Sequence, residues 1–466
     1  MPETPTQTTL GELRASGHVH RTLRQEIRHN LLAKLRSGED PWPGLHGFED
    51  TVIPQLERAL IAGHDVVLLG ERGQGKTRLL RTMVGLLDEW TPVIAGSELG
   101  EHPYDPITVP SRRRAAELGD ELPIEWRHRD ERYAEKLATP DTSVADLIGD
   151  VDPMKVAEGR SLGDPETIHF GLVPRSHRGI VAINELPDLA ERIQVAMLNV
   201  MEERDIQIRG YVLRLPLDVL VVASANPEDY TNRGRIITPL KDRFGAEIRT
   251  HYPAELEAEV AVVRQEAELV ADVPDHLVEI LARFTRNLRD SSAVDQRSGV
   301  SARFSIAGAE TIAAAALHRA TVHGEEPVAR VVDLHTAVDV LGGKVEFESG
   351  EEGREAEILT HLLRTAVAET VRMHFRGLDF ALLVDAIESG AMVTTSGRMT
   401  ALDFLTGLPR LGESDIYDQV CDRLGATNDG QRAGAIELAL EGLYLARKIG
   451  KTESDSGSDG AEVVYG

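Results

Sequence analysis

Eight consecutive residues in the first quarter of the chain have the spacing of a phosphate-binding loop. Glycines stand at the first and sixth positions, and a lysine and a threonine follow. The glycines let the backbone curl so that its N–H groups face a phosphate, the lysine neutralises β/γ-phosphate charge, and the threonine hydroxyl can bind Mg²⁺. We predict that ATP binds at Gly70, Glu71, Arg72, Gly73, Gln74, Gly75, Lys76, Thr77 and the following Arg78.

The neighbours of this loop are those that a phosphate loop requires. The apolar run Asp65–Leu69 has the length of a buried strand, and Arg78–Leu87 has the pattern of a helix. The alternative is a chance glycine-rich turn, which needs neither neighbour. The order strand, loop, helix therefore favours nucleotide binding.

A second motif follows the apolar run Gly179–Ile183, which predicts a buried strand. At this place P-loop ATPases carry an Asp that holds Mg²⁺ and a Glu that activates water. This chain has Asn184 and Glu185. We predict Glu185 as the base and Asn184 as a Mg²⁺ contact that is weakened by the lost charge, which would slow turnover. The alternative is a strand end that caps the helix after Pro187.

An asparagine ends the next apolar run. Leu217–Ala223 predicts another buried strand, and Asn226 follows it before a proline. An asparagine at the tip of a strand beside the phosphate loop can hydrogen-bond the γ-phosphate or the attacking water. We predict this role for Asn226; the alternative is an ordinary Asn-Pro turn.

The order of these motifs resembles one branch of the AAA+ ATPases. The stretch Phe170–Leu189, with Arg178-Gly179-Ile180 before the acidic motif, looks like the ATPase subunit of magnesium chelatase, and Met201–Arg204 resembles MoxR proteins. The branch has an insertion in the second helix and a hairpin before the sensor strand. Ser143–Ser176 and Asp205–Leu215 stand in those places, and the resemblance covers about residues 40–345.

The resemblance implies an oligomeric ring, expected to be a hexamer. Leu240–Phe244 is similar to the family element whose arginine reaches the nucleotide of a neighbouring subunit, which makes Arg243 the expected finger. Arg233 and Arg235 are rival choices, and a surface ion pair between Arg243 and a nearby acid is the structural alternative.

A second arginine is expected to act from the helical region. Ser301–Phe304 resembles the family's second sensor, and Arg303 is the residue that would approach the γ-phosphate. The alternatives are a solvated arginine at a helix start, or Arg297 in its place.

Composition excludes several classes of function. With 51 Lys+Arg against 77 Asp+Glu the formal charge is -26, which makes nucleic acid an unexpected partner. No apolar run is long enough for a membrane helix, and no signal peptide is evident, so the protein is expected in the cytoplasm. The single Cys421 and the 16 scattered histidines predict no disulfide and no zinc hydrolase site.

The alternation of strand and helix patterns predicts an α/β fold with a parallel sheet flanked by helices, followed by helical regions. The long polar stretch between Trp90 and Arg178 predicts insertions. The expected divisions are a polar segment and helix at 1–39, an AAA+ core at 40–253, a helical lid at 254–345, a mostly helical region at 346–451 and a disordered tail at 452–466.

Three functions are compatible with these patterns. The favoured hypothesis is a remodelling ATPase that acts on a partner protein, for which the resemblance suggests a von Willebrand A domain protein. The second is a genuine magnesium chelatase subunit, although the porphyrin site of chelatases lies on another subunit. The third is a nucleotide-gated scaffold in which Asn184 has abolished hydrolysis.

Overall fold

The structure is a computed structural model, and its described residues are 3–152, 154, 157, 167–203, 205–208, 211–226, 235–295, 298–412, 414–453 and 462–466. The chain forms two compact units, Met1–His251 and Tyr252–Gly466. The predicted phosphate loop and acidic motif lie in the first unit, and Arg303 lies in the second.

Among the described residues of the first unit, five strands form a parallel sheet in the order β11-β1-β10-β7-β4. These strands are β1 (Val66–Leu69), β4 (Tyr133–Leu137), β7 (Gly179–Asn184), β10 (Val219–Ala225) and β11 (Ala246–Arg249). All residues of β1, β7 and β10 are buried. Apart from Asn184 and Ser224, their residues are apolar or glycine, because a central parallel strand is covered on both faces.

The two faces of the sheet belong to two separate apolar cores. Val67 and Leu69 of β1 pack with Ile183 and Ala223 on one face. Val66 and Leu68 pack with the alternate residues of the neighbouring strands on the other face, together with Leu23, Ile27 and Leu31 of the amino-terminal segment. Successive side chains of a strand point to opposite faces, so each of the central strands β1, β7 and β10 contributes to both cores.

Shorter elements surround this sheet. Antiparallel pairs join β2 (Trp90–Ile94) to β3 (Ile124–His128), β5 (Gly149–Val151) to β6 (Ile168–Phe170) and β8 (Asp205–Ile208) to β9 (Tyr211–Arg214). The last pair confirms the predicted hairpin. The helices of the unit are α1 (Leu10–Ala15), α2 (Leu23–Ser37), α3 (Val52–Ala62), α4 (Lys76–Thr82), α5 (Val109–Leu118), α6 (Val144–Leu147), α7 (Leu172–Arg175), α8 (Glu191–Glu203) and α9 (Thr238–Arg243).

The amino-terminal segment packs onto this unit rather than standing apart. α2 begins after Thr22, whose hydroxyl accepts from the Gln25 backbone while the Gln25 side chain accepts from the Thr22 N–H. This reciprocal cap satisfies two backbone donors and sets the start of the helix. The short helix α1 lies within residues 1–18, where the sequence predicted only a polar turn-rich stretch.

The second unit is mostly helical, as predicted. Its helices are α10 (Leu256–Glu266), α11 (Asp275–Asp290), α12 (Arg303–His323), α13 (Leu334–Leu341), α14 (Glu355–His374), α15 (Ala381–Glu388), α16 (Ala401–Thr406), α17 (Ile416–Arg423) and α18 (Asp429–Leu445). One core runs from Val263 through Leu363 and Leu438 to Tyr465, so residues 254–345 and 346–451 form one compact unit where two regions were expected.

The end of the chain differs from the predicted disordered tail. Strand β14 (Glu462–Tyr465) lies between β12 (Val393–Ser396) and β13 (Lys451–Glu453) in an antiparallel sheet. Val463 and Tyr465 are buried, and the Tyr465 hydroxyl donates to Glu441 Oε2 at 2.6 Å. The prediction of disorder is therefore wrong for residues 462–465, because alternate apolar side chains there reach the core despite a polar composition before them.

Helices long and apolar enough to cross a bilayer are absent from the described part of the chain.

Candidate nucleotide-binding site

The predicted phosphate loop connects β1 to α4. Gly73 and Gly75 have φ values of 74° and 71°, in the left-handed region that glycine adopts without steric cost. A Cβ on Gly70 would lie 1.9 Å from Thr250 Oγ1 and 2.3 Å from Gln74 Oε1, so a larger residue would displace the side chains of Thr250 and Gln74. The helix begins at Lys76, two residues earlier than predicted. The backbone of the loop therefore has the curled form that a phosphate requires.

The side chain of Gln74 holds this curl in place. Its Oε1 accepts from the Glu71 backbone N–H at 3.1 Å and from Thr250 Oγ1 at 2.9 Å. Thr250 in turn follows β11, and its backbone N–H donates to Leu69 O at 2.7 Å. The loop is thus bonded to the edge strand next to β1, a contact that motif analysis did not predict for Gln74.

Lys76 is buried, with 8% of its surface exposed. Its ammonium group donates to the carbonyl oxygens of Gly70 and Glu71, the latter at 2.7 Å. Thr77 is half-buried, and Arg72 and Arg78 are exposed. The carbonyls of the loop compensate a buried cation in the way that the oxygens of a phosphate could.

The acidic motif lies at the carboxyl end of β7. Asn184 Oδ1 accepts from Ser224 Oγ at 3.0 Å, and Asn184 Nδ2 donates to Glu135 Oε1 at 2.7 Å. Glu185 has a φ of 55° and its backbone N–H donates to Ser224 Oγ at 3.3 Å. The amide of Asn184 therefore bridges β10 and β4, and the left-handed backbone of Glu185 turns the chain at the end of the strand.

A carboxylate that sequence analysis missed lies beside Asn184. Glu135 of β4 accepts from Arg81 Nε at 2.8 Å and Nη2 at 3.1 Å, and from the Tyr133 hydroxyl at 3.1 Å. The bonds from Arg81 lower the pKa of Glu135. Arg81 stands one helical turn after Thr77, on the same face of α4. Glu135 therefore brings negative charge to the side of the loop where Asn184 lacks it.

Asn226 directly follows β10, the strand between β1 and β7. The preceding Ala225 O accepts from Gly70 N at 3.1 Å, which places Asn226 beside the start of the phosphate loop. Asn226 Oδ1 is buried and has no hydrogen-bond partner among the described residues. A buried carbonyl without a donor is costly, and it marks a place where a bound group would supply one.

Arg243 is the last residue of α9, and 40% of its side chain is exposed. Its guanidinium forms an ion pair with Glu202 and lies 4.0 Å from Asp242 Oδ2. The expected surface ion pair is thus present, and the side chain stays accessible from outside the chain. The carbonyl of its rival Arg235 accepts from Gln194 Nε2 at 3.1 Å, whereas Arg233 lies outside the described residues.

Arg303 begins α12 of the second unit and is exposed. Its backbone N–H donates to Ser301 Oγ at 3.2 Å. The rival residue Arg297 lies outside the described residues. The role of Arg303 at a nucleotide remains a prediction.

Curated relatives of this chain are subunits of magnesium chelatase. The subunit ChlI of Anabaena variabilis is 28% identical over 217 residues, which are 46% of this chain and 60% of that protein. The chloroplastic ChlI-1 of Arabidopsis thaliana is 28% identical over 234 residues, 48% of this chain and 47% of that protein. The chain thus spans about half the length of the curated relatives that it matches. They confirm the predicted similarity to the magnesium chelatase branch of AAA+ ATPases.

Two solved structures also align with the chain. A complex of magnesium chelatase subunits BchI and BchD has a TM-score of 0.36 at 19% identity, covering 68% of this chain and 98% of that one. The RuvB branch migration motor of Thermotoga maritima has a TM-score of 0.36 at 14% identity, covering 78% and 86%. No protein-family model matches the chain.

Proposed function

We propose that this chain, a relative of the AAA+ ATPases of the magnesium chelatase branch, binds ATP with Mg²⁺ and hydrolyses it. The observation that carries the proposal is that the three adjacent strands β1, β10 and β7 end together at Gly70, Asn226 and the pair Asn184-Glu185. Ligands of open α/β sheets bind at the carboxyl ends of the strands.

Two features of this edge fit a nucleotide. A Cβ at Gly70 would collide with the side chains of Thr250 and Gln74, and the buried Asn226 Oδ1 has no hydrogen-bond donor in the described part of the protein. When bound, Mg²⁺ and the triphosphate supply charge neutralisation and the anhydride bond that is cleaved. Thr77 and Asn184 are the residues that would hold the metal ion.

Four residues of the chain have separate roles in the proposed hydrolysis. Lys76 exchanges its loop carbonyls for phosphate oxygens, and Asn226 orients the attacking water. Glu185 takes the proton from that water as general base. Glu135 supplies, through its bond to Asn184, the carboxylate charge that P-loop ATPases carry at position 184.

Nucleotide binding and phosphate release in a Glu185→Gln variant test this function. We expect the variant to bind ATP like the unaltered chain while hydrolysis falls about 10²- to 10⁴-fold, the usual contribution of a general base. Glu191→Gln, at the exposed first position of α8, is the matched control and should leave both quantities unchanged. Equal phosphate release from Glu185→Gln and the control would contradict the assignment.

Failure of the unaltered chain to release phosphate while binding ATP would favour the scaffold instead. One observation supports that second candidate: both polar ends of the Asn184 amide are already bonded, to Ser224 and Glu135.

We further propose a hexameric ring of identical chains in which Arg243 acts on the nucleotide of a neighbouring copy. The exposed position of Arg243 supports this role. Mixing two inactive variants tests it: Lys76→Ala keeps the arginine but loses nucleotide, and Arg243→Ala keeps nucleotide but loses the arginine. Hydrolysis should reappear on mixing, and its absence in the mixture would contradict action between subunits.

The ring is proposed to remodel or activate a partner protein, with a von Willebrand A domain protein as the expected class. The relatives' similarity supports this proposal. Proteins that co-purify with the ATP-locked Glu185→Gln chain, but not with Lys76→Ala, would include the partner. If no von Willebrand A protein is enriched, that class of partner is wrong.

A further inference from the structure

A second polar cluster lies at the opposite, amino end of the same strands. His177 and Arg178 precede β7, and Asp218 precedes β10. His20, from the segment before α2, and His102, from the loop after β2, join them around a cavity of about 340 Å³. These residues come from four separate segments of the first unit, and none has a role in the proposed ATPase site.

Arg178 carries a buried charge, and the carboxylates nearest to it, Glu26, Asp88 and Asp218, act on it only from beyond ion-pair distance. Only 6% of its surface is exposed. Its Nη1 donates to Thr91 Oγ1 at 3.0 Å, its Nε has no partner, and no carboxylate lies within ion-pair distance among the described residues. Burial, and then the charge of Arg132, lower the pKa of Arg178 to about 10. Burying a guanidinium without an anion costs free energy, so an anion that pairs with Arg178 would offset this cost.

The other arginines around the cavity are already neutralised. Arg132 Nη1 and Nη2 donate to the two oxygens of Glu26 at 2.7 and 2.8 Å. Arg24 Nη2 donates to Asp65 Oδ1 at 2.9 Å, and Arg24 Nη1 lies 3.9 Å from Asp218 Oδ1. Arg178 is therefore the guanidinium lining the cavity that has no carboxylate at ion-pair distance among the described residues.

The histidines add a hydrogen-bond donor. Burial and the charge of Arg178 lower the pKa of His177 to about 3, so its ring is neutral at neutral pH. His177 Nδ1 accepts from Asp218 N at 3.1 Å, so the ring proton is on Nε2. That N–H has no acceptor within the described parts of the chain. His177 thus offers a donor beside the unbalanced charge of Arg178.

A metal ion does not suit the cluster. His18 Nε2 and His102 Nε2 lie 3.2 Å apart, the separation of a hydrogen bond between rings. No group of three histidine, cysteine or acidic side chains is arranged for a metal in the residues that the structure describes. The nearby charge of Arg178 also repels cations.

We propose that this cavity binds a small polyatomic anion, with a phosphate, sulfate or carboxylate group paired to Arg178 and a hydrogen bond from His177 Nε2. Guanidinium and planar or tetrahedral oxyanions form strong charge-assisted bonds. Asp218 does not oppose the anion strongly, because its carboxylate already accepts from Leu23 N at 2.6 Å and lies near Arg24. Asp105 also lines the cavity but is exposed, where solvent screens its charge.

Thermal unfolding of the full chain tests the proposal. The chain carries Lys76→Ala, which weakens anion binding at the phosphate loop. Sodium sulfate, phosphate and acetate are compared with sodium chloride at matched ionic strength. Sulfate or phosphate at about ten times its dissociation constant should raise the midpoint of the first unit by about 3–6 °C over chloride. The relative shifts with phosphate and acetate then distinguish tetrahedral from carboxylate ligands.

Two variants in the same background locate the site. Arg178→Met should lose the anion-induced shift while its midpoint in chloride stays equal or rises, because an unpaired buried charge is removed. His177→Asn keeps an acceptor for Asp218 N but loses the Nε2 donor, and should weaken the anion about tenfold. His29→Ala, an exposed histidine of α2, is the control and should keep the full shift.

Three results would overturn the proposal. Sulfate, phosphate and acetate all stabilise no more than chloride; Arg178→Met keeps the shift; or Zn²⁺, and not the anions, stabilises the chain. If Arg178→Met does not fold, His177→Asn against His29→Ala decides the question. ATP hydrolysis is not a readout here, so this test and that of the proposed function fail independently.

Discussion

The carboxyl ends and the amino ends of the parallel strands, called here the carboxyl edge and the amino edge of the sheet, each contain a buried cation. The two cations differ in the groups that compensate their charge. At the carboxyl edge Lys76 is 8% exposed and donates to carbonyls of its own loop. At the amino edge Arg178 is 6% exposed, and no carboxylate within ion-pair distance balances it in the described structure. The carbonyl oxygens of a contiguous loop can compensate a cation of the same loop. At a site formed by distant segments, a buried cation depends on the acceptors or anions that those segments supply.

The comparison separates local from dispersed sites. The phosphate loop is eight adjacent residues, so its motif alone reveals it. The amino-edge cavity joins residues near positions 20, 102, 178 and 218, which no pattern in the chain connects. Variants at the two edges should therefore affect different properties of the protein.

The largest expected effect contrasts two arginines of the amino edge. Arg132→Met leaves the carboxylate of Glu26 buried without its partner, and should lower the free energy of unfolding of the first unit by about 3–5 kcal/mol. Arg178→Met should change it little. All three tryptophans lie in the first unit, so denaturant unfolding followed by tryptophan fluorescence reports on that unit.

A second substitution controls this contrast. Adding Glu26→Gln to Arg132→Met removes the stranded charge and keeps an acceptor for Asp88 N, so it should recover part of the loss. Equal destabilisation by Arg132→Met and Arg178→Met would remove the distinction between the paired and the unpaired arginine.

At the carboxyl edge, Lys76→Ala should weaken ATP binding about 10- to 100-fold, the range for a charged hydrogen-bond partner. Arg178→Met should leave this affinity unchanged, because it lies at the other end of the sheet. Equilibrium titration with a fluorescent ATP analogue measures both, with the exposed Lys448→Ala as control. Similar losses in Lys76→Ala and Arg178→Met would mean that the two edges are not separate sites.

The pair Asn184 and Glu135 should show a coupling of about 1–2 kcal/mol. Asn184→Asp alone puts two carboxylates at hydrogen-bond distance and should destabilise the chain without Mg²⁺. The exchange Asn184→Asp with Glu135→Gln restores one acid and one amide, and should recover both stability and Mg²⁺-dependent ATP binding. Additive effects of the two substitutions would show that Glu135 does not serve the site through Asn184.

The smallest effect on the free energy of unfolding is expected at Asn226. Its Oδ1 has no partner within the described structure, so Asn226→Ala should change the free energy of unfolding by less than about 1 kcal/mol. Hydrolysis should still fall about 10- to 100-fold if Asn226 orients the attacking water. Denaturant unfolding and phosphate release measured on one preparation check both; a large loss of stability would make Asn226 a structural residue.

Patterns of adjacent residues were sufficient for the phosphate loop, the buried strands β7 and β10 and the hairpin before the sensor strand. Each of these depends on local chemistry: glycines that curl a backbone, or apolar runs that must be buried on both faces. Strand β4 was missed because Tyr133–Leu137 carries two charged residues, and only pairing with β7 makes it a strand. Glu135 was missed with it.

By itself the sequence determined the buried strands β1, β7 and β10 and the glycine-rich loop after β1, because those depend on residues that are neighbours along the chain. The tertiary structure decided which distant side chains meet: Glu135 with Asn184, Gln74 with Thr250, and Arg178 with His20 and His102. It also decided that Glu462–Tyr465 is a strand, since its apolar side chains are buried only when the other strands and Glu441 are in place.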